Sequence, residues 1–246
     1  MGFFDFWKGS KSAVKNTLYV DIHSHLLPGI DDGSASLEET IELIKEFIDL
    51  GYKKLIITPH IMGDYFKNTP EIIQEKLDLV RYEVKKQGLL IELEAAAEYY
   101  LDEAFIQKLE RGDSLLTFGD NYLLFETSFM NEPASLKETI FLIASSGYKP
   151  VLAHPERYVY MYNSFKKYED LFNRGLYFQL NLSSLTGYYS KESKKIAERL
   201  IRSNMVHFVG SDCHGIRHLE AIKKARNEKI YSQLLDLNIY NNNLIA

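Results

Sequence analysis

The sequence has a single cysteine, Cys213, among its 246 residues. One cysteine cannot form a disulfide within the chain, so a small secreted scaffold held by disulfides is excluded. No signal-peptide pattern opens the chain, and no apolar run approaches the roughly 20 residues that cross a bilayer. We therefore expect a cytoplasmic protein with no stable membrane insertion.

A surplus of positive charge is also absent. Lysine and arginine total 29 against 34 aspartates and glutamates, which leaves a formal net charge of −5 at pH 7. Proteins that bind nucleic-acid phosphates normally carry a basic face, so we expect no nucleic-acid partner. An anionic substrate stays open, because bound cations reverse the local sign of the field.

No stretch rich in Pro, Gly or Ser divides the chain. This favours a single domain over residues 18–246, preceded by an N-terminal arm of residues 1–17. The arm carries a cluster of aromatic residues that could contact a membrane surface or a partner, or pack on the domain or a neighbouring subunit. The oligomeric state stays open, and a homo-oligomer is one alternative.

What the chain does contain is a recurring unit: a short apolar run, a polar segment and an amphipathic helical stretch. The strand-like runs lie at residues 18–22, 54–58, 90–95, 122–125, 150–153, 177–181 and 206–209. The helical stretches lie at residues 36–51, 71–87, 134–145, 168–173 and 191–203. Alternating strands and helices pair in parallel through right-handed crossovers. This predicts an α/β fold, a distorted (β/α)7 barrel of TIM-like type, with an open doubly wound sheet as the alternative.

Histidines and carboxylates follow six of the seven predicted strands. They are His23, His25, His60, Glu98, Glu126, His154, Asp212 and His214. Residues two apart in an extended segment point the same way, so His-x-His and Asp-x-His each aim two ligands at one centre. The carboxyl ends of barrel strands meet at one mouth, where unneutralised carboxylates would repel one another. The pattern therefore predicts a metal site.

The number and type of these residues indicate which cations they hold. A zinc site takes three or four protein ligands, so eight residues predict two or three ions. Mixed nitrogen and oxygen ligands favour Mn²⁺, Fe or Zn²⁺ over Ca²⁺ or Mg²⁺. Taken alone, each residue has an ordinary explanation as a helix cap, an ion pair or a structural histidine. His207 and His218 are assigned to that structural class.

The motifs together resemble those of the PHP superfamily, named for polymerase and histidinol phosphatase. They are Asp21-Ile22-His23-Ser24-His25, Thr58-Pro59-His60, Ala153-His154-Pro155-Glu156-Arg157-Tyr158 and Gly210-Ser211-Asp212-Cys213-His214. The string from His23 to Ser34, together with Ala97-Glu98-Tyr99-Tyr100, is most similar to the metal-dependent tyrosine phosphatases of bacterial capsule and exopolysaccharide operons. The resemblance covers about residues 18–220.

The resemblance implies a PHP fold, three bound metals that are commonly manganese, and hydrolysis of phosphotyrosine. The implied partner is a phosphotyrosine-bearing protein, a bacterial tyrosine kinase that regulates capsule or exopolysaccharide synthesis. The resemblance adds Asp32 as a ligand, although this residue also suits a turn. It makes Arg157 a phosphate-binding residue. Arg217 is only an approximate counterpart of a second arginine, because the local spacing differs.

Other functions fit parts of the pattern. The same metals would serve a small-metabolite phosphatase such as histidinol phosphatase, or an amidohydrolase, although Arg157 beside His154 favours phosphate. A binding module that has lost catalysis should lack ligands, and none is evidently missing. A cysteine phosphatase needs an arginine six residues after its cysteine, and that position holds Leu219. We therefore expect Cys213 to pack away from the metals.

Four tyrosines also lie near the predicted mouth. They are Tyr99, Tyr100, Tyr158 and Tyr160. They could wall a pocket for an aromatic ring, or they could be ordinary packing residues.

Overall fold

The computed structural model describes residues 17–245, so the predicted N-terminal arm lies outside the described residues apart from Thr17. The strands are β1 Val20–Asp21, β2 Lys54–Ile57, β3 His60–Ile61, β4 Glu92–Ala95, β5 Glu98–Tyr100, β6 Tyr122–Glu126, β7 Lys149–Ala153, β8 Tyr177–Asn181 and β9 Phe208–Gly210. The α-helices are α1 Leu37–Asp49, α2 Pro70–Lys86, α3 Glu103–Arg111, α4 Leu136–Ser145, α5 Phe165–Asn173, α6 Lys191–Arg202, α7 Ile216–Ala225 and α8 Lys229–Leu235. Within these residues, no helix has both the length and the apolar character to cross a bilayer.

Local sequence signals explain most of these elements. Ser36 caps α1 by accepting a hydrogen bond from the Glu39 amide at 3.2 Å, as its capping pattern predicts. The buried face of α1 includes Ile44 and Phe47, at helical spacing. The sequence analysis did not predict helices α3, α7 and α8. In α3 only Phe105 and Leu109 are buried, which is too few to reveal a helical period.

The strands form a parallel sheet that curls into a distorted barrel. One part has the order β1-β2-β4 and the other the order β3-β5-β6-β7-β8-β9. Two of the seven predicted strands are each followed by a second, short strand that was not predicted: β3 is separated from β2 by Thr58 and Pro59, and β5 is separated from β4 by Ala96 and Ala97. Proline has no amide hydrogen to donate to a sheet, which accounts for the first break. The order follows the chain, so the predicted (β/α)7 barrel is confirmed and the doubly wound sheet is wrong.

The barrel closes just beyond the carboxyl ends of β1 and β9. The Asp212 amide donates to the His23 carbonyl at 2.7 Å, and the His25 amide donates to the Cys213 carbonyl at 2.9 Å. Ser24 and Cys213 form a parallel bridge at the same place. This seam brings the His-x-His and Asp-x-His motifs side by side, although 188 residues separate Ser24 from Asp212 in the chain.

Two apolar clusters cover the faces of the sheet. The inner cluster fills the barrel, and its members are Val20, Ile22, Ile56, Ala96, Phe118, Leu124, Val151, Ala153 and Phe208. The outer cluster lies between the strands and the helices. Leu123 and Leu124 of β6 fall in opposite clusters, as the alternation of strand side chains requires. The inner cluster forms the floor on which the polar strand ends rest.

The side chain of Asn241 connects β1 and β9 below the His-x-His and Asp-x-His motifs. Its Nδ2 atom donates to the carbonyls of Val20 at 2.9 Å and Val209 at 2.7 Å, and its Oδ1 atom accepts from the Val209 amide at 2.9 Å. The side chain is fully buried. One amide thus satisfies backbone groups of both β1 and β9 where the two strands do not pair with each other.

Replacing Asn241 with leucine should therefore weaken the closure. Three buried backbone groups lose their partners, so we expect the free energy of unfolding to fall by about 2–4 kcal/mol. Chemical denaturation followed by circular dichroism measures this change. The control is the exposed Asn243, whose replacement with leucine should change stability by no more than about 0.5 kcal/mol. Equal losses in the two variants would contradict the assignment.

Candidate metal centre

The structure brings the nine predicted ligands to the carboxyl ends of the strands. They are His23, His25, Asp32, His60, Glu98, Glu126, His154, Asp212 and His214. His23, His25 and Glu98 are completely buried, whereas the side chain of Asp32 is 56% exposed. Burial of so many ionisable groups in one place is costly unless opposite charges neutralise them.

Glu98 lies at the centre of the cluster. Its Oε2 atom is 3.2 Å from His23 Nε2, 3.4 Å from His25 Nε2 and 3.1 Å from His60 Nδ1. Its Oε1 atom is 3.1 Å from His154 Nε2. Oε2 is buried and forms no hydrogen bond with any group in the described chain. A carboxylate oxygen with three imidazole nitrogens around it suits a bridge between cations.

The ligand atoms fall into four overlapping groups, in each of which they lie within 4.8 Å of one another. The groups are His25, Asp32, His60 and His214; His23, His154 and Asp212; His23, His25 and Glu98; and His60, Glu98 and Glu126. Ligands about 2.1 Å from one ion lie within roughly 4.2 Å of each other. Shared members make neighbouring groups into one multinuclear site rather than separate sites, so the donor set fits the two or three ions expected from the sequence.

A second layer of polar side chains orients the histidines. Asp31 Oδ2 lies 2.8 Å from His25 Nδ1, and Gln179 Oε1 lies 2.7 Å from His23 Nδ1. Each contact fixes the Nδ1 proton and leaves Nε2 facing the centre, an arrangement typical of metal-ligating histidines. Gln179 is itself fixed, because its Nε2 atom donates to Asn181 Oδ1 at 2.8 Å.

Asn181 links this layer back to the ligands, since its Nδ2 atom donates to Asp212 Oδ2 at 2.8 Å. Gln179 and Asn181 both lie on β8, the one predicted strand with no metal ligand assigned to it. The signal that could have found them is their spacing of two, which places both side chains on the same face of the strand. The sequence analysis missed them, along with the orienting role of Asp31.

Two candidate ligands have unusual backbone conformations. His154 has φ 33° and Asp212 has φ 49°, and they are two of the four non-glycine residues with positive φ in the described chain. Left-handed conformations are costly for such residues and cluster at functional sites. Here each one follows a strand and turns its side chain toward the cluster.

Glycines permit the close approach of the segments that carry the ligands. A Cβ atom on Gly33 would lie 2.0 Å from the His25 carbonyl oxygen. A Cβ atom on Gly210 would lie 2.6 Å from both the His23 Cβ and the Gln179 side chain. Any larger residue at these positions would displace a ligand-bearing segment.

The electrostatic environment divides the carboxylates into two kinds. Burial opposes the negative charge of Glu98, but the neighbouring imidazoles of His23, His60 and His154 hold its pKa well below the usual range. Burial and the charge of Glu98 together raise the pKa of Glu126 well above that range. Before a cation binds, the surroundings therefore favour the ionised form of Glu98 and the protonated form of Glu126.

The surroundings also shift the pKa values of two histidines, His154 and His25, in opposite directions. Burial and the positive charge of Arg157 lower the pKa of His154 to about 4, so its imidazole is neutral. Burial also opposes a charge on His25, but Asp31, Asp212 and Glu98 raise its pKa well above the usual value. The surroundings of His25 therefore favour its protonated form until a cation replaces the proton.

Arg157 borders the cluster. Its Nη1 atom donates to Asp212 Oδ2 at 2.7 Å. Its guanidinium lies 4.4 Å from the ring centroid of Phe129 and 4.0 Å from that of Tyr189, so it is held between two aromatic rings. The remaining donors of the planar fork stay available to a bound anion.

The cluster opens into a cleft of about 710 Å³. Five aromatic side chains line it, namely Tyr65, Phe66, Tyr100, Phe129 and Tyr189. Phe66 stacks on His60 with ring centroids 5.5 Å apart. The cleft therefore joins a polar floor of candidate metal ligands to aromatic walls.

Three of the tyrosines expected at the mouth do not line the cleft. Tyr99 and Tyr158 are buried in the outer apolar cluster, where β-strand alternation and a short 3-10 turn direct them. Tyr160 packs on that cluster, and its hydroxyl lies 2.9 Å from Thr127 Oγ1. Only Tyr100 faces the cleft.

The positions of Arg217 and His218 differ from the prediction, which put Arg217 at the site and gave His218 a structural role. Arg217 is exposed and does not line the cleft, whereas His218 does, with its ring 5.3 Å from the His214 ring. Adjacent residues of a helix point about 100° apart, and α7 begins at Ile216, so only one of the two can face the metals.

Cys213 and His207 have structural roles, as expected. Cys213 is fully buried in the outer apolar cluster, and burial raises the pKa of its thiol far above neutrality. A thiol in that state is not a nucleophile. His207 Nδ1 accepts a hydrogen bond from the Phe178 amide at 3.1 Å, away from the cleft.

Comparison with known proteins places this geometry in a family. A family model described as capsular polysaccharide synthesis, CpsB/CapC, matches residues 19–235. The chain belongs to the CpsB/CapC family. The resemblance drawn from the sequence motifs is thereby confirmed.

Relatives in the CpsB/CapC family carry phosphatase names. The tyrosine-protein phosphatase YwqE of Bacillus subtilis strain 168 is 29% identical over 198 residues, which cover 80% of this chain and 78% of YwqE. The putative tyrosine-protein phosphatase CapC of Staphylococcus aureus is 29% identical over 232 residues, which cover 92% of this chain and 90% of CapC. The similarity thus extends over the whole barrel.

A solved structure of the family has the same fold. It comes from work on YwqE of Bacillus subtilis and CpsB of Streptococcus pneumoniae, described as unique metal-dependent tyrosine phosphatases. It superposes with a TM-score of 0.76 at 27% identity and covers 89% of this chain and 96% of the solved chain. Metal dependence is thus a described property of proteins built on this barrel.

The protonation pattern predicts how cation binding depends on pH. His25 and Glu126 both have raised pKa values, so each retains a proton to higher pH, and a cation must displace that proton. Binding should therefore release protons, and affinity for Mn²⁺ should rise as pH rises from 6 to 8. Calorimetric titration in buffers of different ionisation enthalpy measures the released protons. A binding heat independent of the buffer, or affinity that falls with rising pH, would contradict the pattern.

Proposed function

We propose that this chain is a metal-dependent phosphatase that hydrolyses phosphotyrosine in a protein substrate. The observation that carries the proposal is the position of Arg157 beside Asp212, with its Nη1 atom 2.7 Å from a candidate metal ligand. A phosphate group that reaches the cations would lie within reach of the guanidinium fork. An amidohydrolase acting on a neutral carbonyl has no use for that arginine.

The proposed cations are two or three Mn²⁺ ions, with Fe or Zn²⁺ as alternatives. One group of four ligands would hold the first, namely His25, Asp32, His60 and His214. His23, His154 and Asp212 would hold the second, and Glu98 with Glu126 and His60 would complete the third. Cations held by these residues would lower the pKa of bound water and would neutralise the charge of a phosphoryl group.

The protein's own residues have three tasks in this chemistry. Asp31 and Gln179 keep His25 and His23 in the tautomer that presents Nε2. Arg157, fixed between two rings, offers N–H donors to the phosphate without losing side-chain entropy on binding. Buried Glu98 holds nitrogen atoms of His23 and His60 close to its Oε2 atom.

The leaving group suits a site with no evident strong acid. Tyrosine has a pKa of about 10, so its phenolate leaves more readily than the alkoxide of serine. The aromatic lining of the cleft, including Tyr100 and Phe129, suits the flat ring of that leaving group. The cleft is open to the surface, which allows a side chain that projects from a protein to enter.

The family supplies the proposed context. Relatives are named tyrosine-protein phosphatases, and the family description is capsular polysaccharide synthesis. We therefore propose a cytoplasmic enzyme whose substrate is a bacterial tyrosine kinase that regulates capsule or exopolysaccharide synthesis.

The test is phosphate release by Mn²⁺-loaded protein and by its Arg157→Ala variant. We expect turnover of a phosphotyrosine peptide and a fall of about 100-fold in kcat/KM for the variant, since an arginine–phosphate contact that forms in the transition state contributes about 3 kcal/mol. Metal content should stay unchanged, because Arg157 is not a ligand. The control Arg174→Ala removes an exposed arginine that pairs with Asp170, and it should keep full activity.

Other results would point elsewhere. Faster release from histidinol phosphate than from the peptide would identify a small-metabolite phosphatase. No release from any phosphomonoester by metal-loaded protein would identify a binding module and refute the proposal.

A further inference from the structure

A second depression, of about 440 Å³, lies beside the metal cleft. It is formed by the loop after β8 and the first turns of α7, and the residues that matter here are Tyr188, Ile216, Arg217, Glu220 and Lys224. Neither the predicted ligands nor the walls of the cleft include these five side chains. The depression is therefore distinct from the candidate metal centre.

Only one layer of side chains separates the two. The ring of His218, which lines the cleft, lies 5.3 Å from the His214 ring and 5.1 Å from the Tyr188 ring. Tyr188 in turn lines the depression. Two or three residues of extended polypeptide, at roughly 3.3 Å each, span the distance between the metal cleft and the depression. A chain whose phosphotyrosine enters the cleft can thus reach the depression with a nearby residue.

Two positively charged side chains in the depression, those of Arg217 and Lys224, form no ion pair with the described residues. In residues 17–245, no carboxylate lies within ion-pair distance of Arg217 or Lys224. The carboxylate of Glu220 is directed instead to Lys223, at 3.1 Å.

Several other basic residues on α6 and α7 form ion pairs. Lys195 lies 2.7 Å from Glu192, Arg202 lies 2.7 Å from Glu198, and Lys223 lies 2.7 Å from Glu46. Unpaired cations beside a cleft in a chain of net charge −5 attract an anionic segment locally.

Exposed apolar surface accompanies these charges. Ile216 is 53% exposed and Tyr188 is 42% exposed. Apolar side chains next to unpaired cations can pack against the methylene groups of a polypeptide while the cations bind its carboxylates. A free phosphate or a small metabolite would leave this apolar surface uncovered.

We propose that the depression is a subsite for the polypeptide next to the phosphotyrosine, and that it takes an acidic side chain within about three residues of it. The proposal rests on the proposed function, because it places the phosphotyrosine in the metal cleft. It gives Arg217 a role in recognising the substrate chain rather than in binding the transferred phosphate.

The experiment compares phosphotyrosine peptides that carry glutamates on either flank with the same peptides carrying glutamines. For the native protein we expect kcat/KM to be about tenfold higher for a glutamate peptide, through a lower KM, and we expect salt to reduce this preference. The double variant Arg217→Gln, Lys224→Gln should remove the preference. Turnover of p-nitrophenyl phosphate, which has no flanking chain, normalises each preparation.

The matched control is the double variant Lys195→Gln, Arg202→Gln, which removes the same charge from the paired residues of α6. It should keep the preference. Equal kcat/KM for glutamate and glutamine peptides in the native protein, or loss of the preference in the control as well, would overturn the subsite.

A binding measurement separates this proposal from the proposed function. The same peptides with a non-hydrolysable phosphonate in place of the phosphate report affinity alone, by fluorescence anisotropy. A glutamate preference in binding that needs Arg217 and Lys224 supports the subsite even where no phosphate is released, in which case only the proposed function fails. Phosphate release without any binding preference overturns the subsite and leaves the proposed function in place.

Discussion

The crowding of buried carboxylates and imidazoles around Glu98 is the constraint on which the rest of the structure depends. Glu98 Oε2 has nitrogens of three histidines within 3.4 Å and no hydrogen-bond partner in the described chain. Such an arrangement is unfavourable in a protein interior unless cations share these ligands. The raised pKa of Glu126 is a local consequence of the same crowding, and the left-handed backbone at His154 and Asp212 turns two of the side chains toward it.

The fold sustains this crowding by closing the barrel. The seam between β1 and β9 places His23 and His25 next to Asp212 and His214, and the buried side chain of Asn241 holds the lower part of the same seam. Ser211 strengthens it, since its amide donates to Asp21 Oδ1 at 2.7 Å. Because the ligands come from strands that pair along the whole barrel, the integrity of the site depends on the integrity of the sheet.

The sequence was informative where geometry is set locally. His-x-His, Asp-x-His and the residues that end strands could be placed because strand alternation and the parallel topology leave little choice. It was uninformative where tertiary packing decides. Nothing local distinguishes His218, which lines the cleft, from Arg217, which does not, because the start of α7 determines the phase of that helix. Gln179 and Asn181 were missed because amides do not stand out as ligands, and their role depends on contacts with His23 and Asp212 from other strands.

The measurement that tests the central claim most directly is anomalous X-ray diffraction, at the manganese absorption edge, from crystals grown with Mn²⁺. The account predicts two or three peaks per chain, each among the ligand atoms around Glu98, with one of them next to the His25, His60 and His214 nitrogens. A Mn²⁺-saturated crystal with no peak in this cluster, or with peaks only elsewhere on the chain, would contradict it.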